Sequence, residues 1–346
     1  MRNFNVGVIG CGGIAKKAHF PNIAKLPNLN LYAVCDMDTE RAESVKAEYG
    51  CPLSVSDYKD IIYNENIDAV HICTPNFLHA PIAIEALKAK KNVLVEKPFA
   101  MTVKDAEEIF RTAEEEGMTV MSANCFRYLT ESSMLKKFIE ADMLGDIYYS
   151  KVRSLRRRGI PPHGVFTDKA KQGGGPLIDL AIHVIDMAVY LLGNPKPVSV
   201  SGAAFNLIGT GEGHATGVRG PWNPKEFKVE DFACGMVRFD NGHIMQIETS
   251  FAANIEKDVT NLSLLGTKGG ADTQPLKVYT EHAGLMTDIT PVLVQPTNFY
   301  EREIREFYSA IETGQPTPIR KEEVLNVLKI IEGLYKSAEQ GREIEI

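Results

Sequence analysis

A short apolar strand that runs straight into Gly10-Cys11-Gly12-Gly13-Ile14-Ala15, with helical periodicity directly after it, leaves a chain few folds to adopt. In a turn of the form G-x-G-x-x-[GA], Gly10 permits the tight bend, Gly12 lets backbone approach a pyrophosphate, and small Ala15 lets the helix pack close to the sheet. Gly13 and Ile14 complete the turn, and the helix N-terminus offers N–H groups and positive partial charge to a diphosphate. Asp36 ends the next strand, about 20 residues beyond the turn, where a carboxylate accepts hydrogen bonds from ribose hydroxyls and repels a 2′-phosphate. Met37 and Asp38 follow it. NAD is therefore expected ahead of NADP, with Arg41 as the residue that works against that preference.

Up to about residue 123, apolar runs alternate with helical patterns. Strands are expected at Asn5–Gly10, Leu29–Asp36, Ala69–Cys73, Asn92–Glu96 and Thr119–Ala123, and helices at Ile14–Ala24, Thr39–Glu48, Asp57–Asn64, Asn76–Lys90 and Val103–Glu116. Thr102 with Asp105 forms a cap, and Gly117 supplies the stop. This is the pattern of a doubly wound parallel sheet covered on both faces. Ligands of such sheets lie beyond the carboxyl ends of the strands, so Thr74-Pro75-Asn76, the following helix with His79, and the strand end Glu96-Lys97-Pro98 should border the cofactor. Thr74 and Asn76 also suit a plain capping role.

The character changes after Cys125. A helix near Ser132–Glu140 precedes an arginine-rich stretch (Arg153, Arg156, Arg157, Arg158), and Gly173-Gly174-Gly175 opens a helix over Pro176–Leu192. Strand alternation follows at Val198–Phe205, Asp231–Phe239, His243–Phe251 and Val259–Leu265, with a hairpin turn at Asn241-Gly242. Helices near Tyr300–Thr313 and Lys321–Gln340 end the chain. The expectation is an α+β domain with a large, mostly antiparallel open sheet, and a division into residues 1–123 and 124–346. Asp179 and His183, four apart, should project from one helix face. The glycine-rich segment Ile208–Pro224, which carries Trp222, is too long for a routine connection and reads as a lid or an oligomer contact.

Bulk properties narrow the function. A length of 346 residues exceeds what one core usually serves. A net charge of -7 disfavours nucleic acid and anionic membranes as partners. No secretory h-region fits before the glycine turn, and the apolar stretch Ala181–Leu192 is short and interrupted by His183 and Asp186. The six cysteines show no metal-ligand spacing and read as reduced thiols, so no metal is expected and the location is expected to be cytoplasmic.

The glycine turn, Asp36, Glu96-Lys97-Pro98, the segment Asn124-Cys125-Phe126-Arg127 and the glycine-led helix with Asp179 and His183 together resemble the Gfo/Idh/MocA family of oxidoreductases. The resemblance covers nearly the whole chain, in order. It implies an N-terminal Rossmann domain, a substrate site between the domains, and a dimer or tetramer formed through the C-terminal sheet. It also implies Lys97, Asp179 and His183 as the catalytic group and Asn124 beside the cofactor. The substrate would be a sugar, cyclitol or related polyol whose CH–OH carbon exchanges a hydride with nicotinamide. A neutral imidazole, pKa about 6.5 in solution, can take the hydroxyl proton, which assigns His183 as base, and an ammonium at Lys97 stabilises the developing alkoxide. Asp179 would bind a neighbouring hydroxyl or support the imidazolium. Arg127, Arg157, His163 and Trp222 are candidates for the substrate wall, each with a plain structural alternative. An NAD-retaining glycosidase and a non-catalytic nucleotide-binding regulator are the competing readings.

Overall fold

The computed structural model describes residues 2–292 and 296–346 and divides into two compact units, Met1–Cys125 with Asn298–Val324, and Phe126–Thr297 with Leu325–Ile346. The first holds a six-stranded sheet of β1 (Phe4–Ile9), β2 (Leu29–Cys35), β3 (Leu53–Val55), β4 (Ala69–Ile72), β5 (Asn92–Glu96) and β6 (Val120–Ala123). Its order is β3-β2-β1-β4-β5-β6 and every pair is parallel, the doubly wound arrangement expected. Phe4, Val6, Val8, Val70, Ile72, Val93, Leu94 and Val95 are buried, because strands covered on both faces have no solvent side. Thr102 caps the helix Val103–Glu116 by accepting from the Asp105 N–H, and Gly117 ends it in the left-handed region at φ 65°.

Two features of this unit depart from the sequence reading. Strand β3 was not anticipated, since three half-buried residues carry no periodicity. The helix Phe299–Thr313 also belongs here and not with the rest of 124–346. Its Phe307 and Tyr308 are buried, and the Tyr308 ring lies 5.0 Å from Phe4 and 5.8 Å from His71. Aromatic burial on β1 and β4 thus returns a distant segment to the first core.

The second unit is built on nine strands: β7 (Ile147–Leu155), β8 (Pro197–Phe205), β9 (Phe232–Phe239), β10 (Ile244–Ser250), β11 (Val259–Gly266), β12 (Gly269–Thr273), β13 (Leu276–His282), β14 (Leu285–Ile289) and β15 (Ile344–Glu345). Their order is β14-β13-β12-β11-β7-β10-β9-β8-β15, antiparallel throughout except between β10 and β7. Gly242 takes φ 83° in the hairpin between β9 and β10, where the positive φ favours glycine. One face of the sheet packs Val152, Val237, Met245, Ile247, Leu262, Leu264 and Val278 against the helix Ile182–Leu191 and residues Val327 to Leu334. That apolar helix is a core element: Ile182, Val184, Ile185, Met187, Ala188 and Val189 are all buried.

Inside this core lies an ion pair. Arg127 Nε and Nη2 donate to Asp186 Oδ2 and Oδ1 at 2.8 and 2.6 Å, and both side chains are almost fully buried. The guanidinium also lies over the Tyr190 ring, 5.2 Å from its centroid. Removing one partner of such a pair leaves a buried charge uncompensated, so Asp186→Ala should lower the unfolding free energy by about 3–5 kcal/mol. The double variant Arg127→Met/Asp186→Leu should recover most of that loss in urea titrations; a double variant as unstable as the single one would refute this account.

Candidate functional site

Parallel pairing puts the carboxyl ends of five strands in one row. Ile9 is in register with Cys35 and with Ile72, Ile72 with Val95, and Glu96 with Ala123. Gly10, Asp36, Thr74, Lys97 and Asn124 therefore all leave the sheet at the same edge. Gly10 takes φ 97°, and a Cβ there would stand 2.5 Å from the Cys73 carbonyl oxygen, so backbone proximity as well as conformation demands glycine. At Gly12 and Gly13 a Cβ would meet nothing within 4 Å, so the turn opens onto space that a diphosphate can enter.

The helix after the turn begins as a π-helical turn, Ala15–His19, and continues as Phe20–Lys25. Such widened turns cluster at functional sites. The Asp36 carboxylate fastens the turn from the side: Oδ2 accepts from the Cys11 N–H at 2.8 Å and Oδ1 from the Asp38 N–H at 2.9 Å. Arg41 Nη1 lies 3.3 Å from both oxygens, while its Nη2 donates to Asp38 at 2.9 Å. Arg41 is thereby turned onto the acidic pair.

At the end of β4 the Thr74 hydroxyl is buried with no hydrogen-bond partner in the protein. An orphaned hydroxyl in this row is a position for a ligand atom. Open space at Gly12 and Gly13, the ribose-length acid Asp36 and this hydroxyl together fit NAD. Asn76 is buried in the turn that follows. His79 is buried too, with Nε2 2.8 Å from the Thr74 carbonyl and Nδ1 2.7 Å from the Pro98 carbonyl. Burial lowers its pKa from the ordinary histidine value, so the ring is a neutral clamp between two strand ends. Asn124 is buried, accepting from the Ser122 hydroxyl at 2.6 Å. Glu96 Oε1 lies 3.0 Å from His19 Nε2, and Oε2 accepts from the Lys97 N–H at 3.1 Å. Both oxygens of Glu96 are thus engaged by the protein, and Lys97 is the residue of this strand end that stands half exposed.

In the second unit, the three-glycine run has a packing explanation. A Cβ on Gly174 would overlap the Tyr335 hydroxyl, and one on Gly175 would overlap the Glu230 carbonyl. Glu230 caps the helix that follows, accepting from the Gly175 and Leu177 N–H groups at 2.8 and 3.1 Å and from the Tyr335 hydroxyl at 2.8 Å. Burial raises its pKa, and these donors oppose that rise. The segment Leu177–Ala181 is a π-helical turn before the α-helix begins at Ile182, so Asp179 and His183 are not on the strict α-helical spacing the sequence suggests. Asp179 is buried; His183 is half-buried and stacks on Phe126 with centroids 4.6 Å apart.

The wall candidates fare differently. Arg127 is committed to Asp186 in the core. Arg157 is exposed and donates to the Glu256 carbonyl. His163 is an exposed loop residue, edge-on to Phe166. Trp222 Nε1 donates to the Gly209 carbonyl at 2.8 Å, and its ring packs on the cluster of Ile160, Phe227, Val229, Phe251 and Ala252, so it anchors the 208–224 segment. Asp231 pins the same segment by accepting from the Ile208 and Gly209 N–H groups, both at 2.6 Å. The arginine the sequence reading passed over is Arg156. It is half-buried, lies against the Phe251 ring and donates from Nη1 to the Gly159 carbonyl at 3.1 Å; burial and Arg219 lower its pKa while Asp179 opposes them. Both arginines follow the end of β7, where no strand alternation separates them in the sequence.

Comparison with known proteins agrees with this geometry. The model of an oxidoreductase family with an NAD-binding Rossmann fold matches residues 4–124, and that of the family's C-terminal alpha/beta domain matches residues 136–346. D-glucoside 3-dehydrogenase of Escherichia coli is 35% identical over 343 residues, 99% of this chain and 97% of that protein. Levoglucosan dehydrogenase of Pseudarthrobacter phenanthrenivorans is 32% identical across 78% of this chain and 73% of its own. A structure of levoglucosan dehydrogenase with NADH and levoglucosan superimposes with TM-score 0.85, 26% identity and complete coverage of both chains.

Because Asp36 both fastens the turn and holds Arg41, Asp36→Ser should weaken NAD binding by about tenfold, the scale of a lost hydrogen bond to a charged group. It should also release Arg41 and narrow the gap between NAD and NADP. Fluorescence titration with both dinucleotides checks this; an unchanged NAD affinity would remove Asp36 from the site.

Proposed function

The chain belongs to the Gfo/Idh/MocA oxidoreductase family, and we propose that it oxidises a ring CH–OH of a glycoside, anhydrosugar or related polyol to the ketone. It is an NAD-dependent oxidoreductase. The full-length similarity to D-glucoside 3-dehydrogenase carries the substrate class, and the levoglucosan dehydrogenase relationship points the same way. Both are dehydrogenases, which favours net redox turnover over a retained-cofactor glycosidase or a regulator. The five buried, unbridged cysteines suit a cytoplasmic location.

When bound, NAD supplies the acceptor for the hydride. Every other element of the chemistry belongs to the chain. His183, oriented by its stacking on Phe126, takes the hydroxyl proton as hydride leaves carbon. The Lys97 ammonium stabilises the negative charge growing on that oxygen. Asp179, held in the glycine-led turn, accepts from a neighbouring substrate hydroxyl, and Arg156 serves as the forked donor in the role the sequence reading gave to Arg157. The Arg127–Asp186 pair fixes the helix that carries His183.

The proposal extends to assembly. The sheet face opposite the helices exposes Met236, Leu265 and Tyr279, and a homo-oligomer, dimer or tetramer, formed through this face would cover them.

NADH formation followed by absorbance with glucosides, levoglucosan and inositols is the direct test. Lys97→Met and His183→Ala should each lower kcat by about 10²- to 10⁴-fold while NAD binding stays within a few fold. Full activity in both variants would overturn the assignment. Light scattering should find an oligomer that Met236→Asp/Leu265→Asp converts to a monomer, and a monomeric parent protein would reject the interface.

A further inference from the structure

Behind the Glu96-Lys97 strand end lies a line of buried polar groups that the proposed chemistry does not use. Tyr308 Oη is 3.0 Å from His71 Nε2, His71 Nδ1 is 2.9 Å from His19 Nδ1, and His19 Nε2 is 3.0 Å from Glu96 Oε1. His71 is fully buried, and His19 and Tyr308 are nearly so.

We propose that His19, His71 and Tyr308 are positioning residues: a one-way hydrogen-bond chain that fixes the orientation of the Glu96 carboxylate at the strand end that carries Lys97. The role rests on the assignment of Lys97 to the chemistry.

The direction of the chain follows from counting protons. A carboxylate only accepts, so His19 donates through Nε2–H. In the proposed chain His19 carries its single ring proton on Nε2, so its Nδ1 accepts from the Nδ1–H of His71, 2.9 Å away. That leaves His71 Nε2 as the acceptor of the Tyr308 hydroxyl. Burial holds the His71 pKa well below the ordinary value, which keeps this ring neutral. With the Lys97 N–H on Oε2, both Glu96 oxygens receive donors, which holds the carboxylate in one orientation.

Among the described residues, Cys73, His79 and Tyr300 also feel the Glu96 charge. Burial pushes Cys73 well above the usual thiol range and Tyr300 above the usual phenol range, and lowers His79. In neutral solution Cys73, Tyr300 and His79 are all uncharged, so Glu96 is the anion beside Lys97. His19 reaches Glu96 from the π-helical turn next to the glycine bend, so the same chain ties the cofactor turn to the catalytic strand end.

The test has two readouts. Nitrogen-15 histidine NMR of the full-length protein reports tautomers without turnover. His19 protonated at Nε2 and His71 at Nδ1 is expected, with the His71 signals displaced in Tyr308→Phe; the opposite tautomers would overturn the chain. In kinetics, His19→Phe should lower kcat about tenfold while NAD affinity and KM stay within threefold. His19→Gln, whose amide can still donate to Glu96, should recover part of that loss. Wild-type kcat in His19→Phe and Tyr308→Phe, alongside an inactive Lys97→Met, would overturn the proposal. An active Lys97→Met would instead sink the assignment of Lys97, an outcome told apart because the tautomers are read independently. Should His19→Phe fail to fold, Tyr308→Phe, which keeps its ring contacts with Phe4 and Phe307, decides the kinetic arm.

Discussion

Gly10 turns at φ 97° hard against the Cys73 carbonyl, and the rest of the first unit follows from that approach. The contact brings the end of β1 next to the end of β4, which is where the strand order reverses and a crevice opens at the sheet edge. The Gly10 N–H bonds the Cys35 carbonyl and the Cys73 N–H bonds the Ile9 carbonyl, both at 2.8 Å, so three strand ends are sewn together by backbone alone. Asp36 then completes the lateral fastening through Cys11. A side chain at Gly10 would have to part these strands, and the cofactor row would go with them.

Polar groups buried near this edge are engaged in pairs and lines that connect one strand end to the next. His79 spans the carbonyls of Thr74 and Pro98, and Glu96 takes donors from His19 and from the Lys97 backbone. In a low-dielectric interior each such group costs several kcal/mol if left without a partner, so the arrangement has one favourable geometry and few alternatives. The Thr74 hydroxyl departs from this pattern, with no hydrogen-bond partner among the described residues, and Thr74 itself follows β4 at this edge. The second unit uses the same means. Glu230 and Tyr335 occupy the space that side chains at Gly174 and Gly175 would need, and so hold the start of the helix that presents Asp179 and His183.

How much of this could be read in the sequence depended on how local each signal was. The strand-turn-helix at Gly10 and the Thr102 and Gly117 caps are decided within a few residues, and they stand where expected. Strand β7 escaped because its inward positions are Ser150, Val152 and Ser154, small and mostly polar, while lysine and arginine occupy the other face. Strand β12 is Gly-Gly-Ala-Asp-Thr, with no apolar alternation to detect. Among site residues, Arg156 and Arg157 are indistinguishable by composition, and only the fold separates the half-buried guanidinium against Phe251 from the exposed one bonded to the Glu256 carbonyl. The line from Tyr308 to Glu96 joins residues 237 and 52 positions apart, a distance across which single-sequence patterns carry no information.

Arg41 shows why a motif and its surroundings must be weighed together. Taken alone, an arginine five residues beyond the ribose acid is a ready partner for a 2′-phosphate. Its guanidinium instead lies against Asp36 and Asp38, so its charge is balanced by the two carboxylates that precede it. Recruiting it to a 2′-phosphate would require breaking those contacts and bringing a dianion towards Asp36, and both costs fall on NADP alone. The same contacts stiffen the edge of the adenosine site and cost NAD nothing. In the proposed site the Asp36–Arg41 pair would discriminate between the two dinucleotides as a unit, the acid repelling a 2′-phosphate while it holds a cation that would otherwise welcome one.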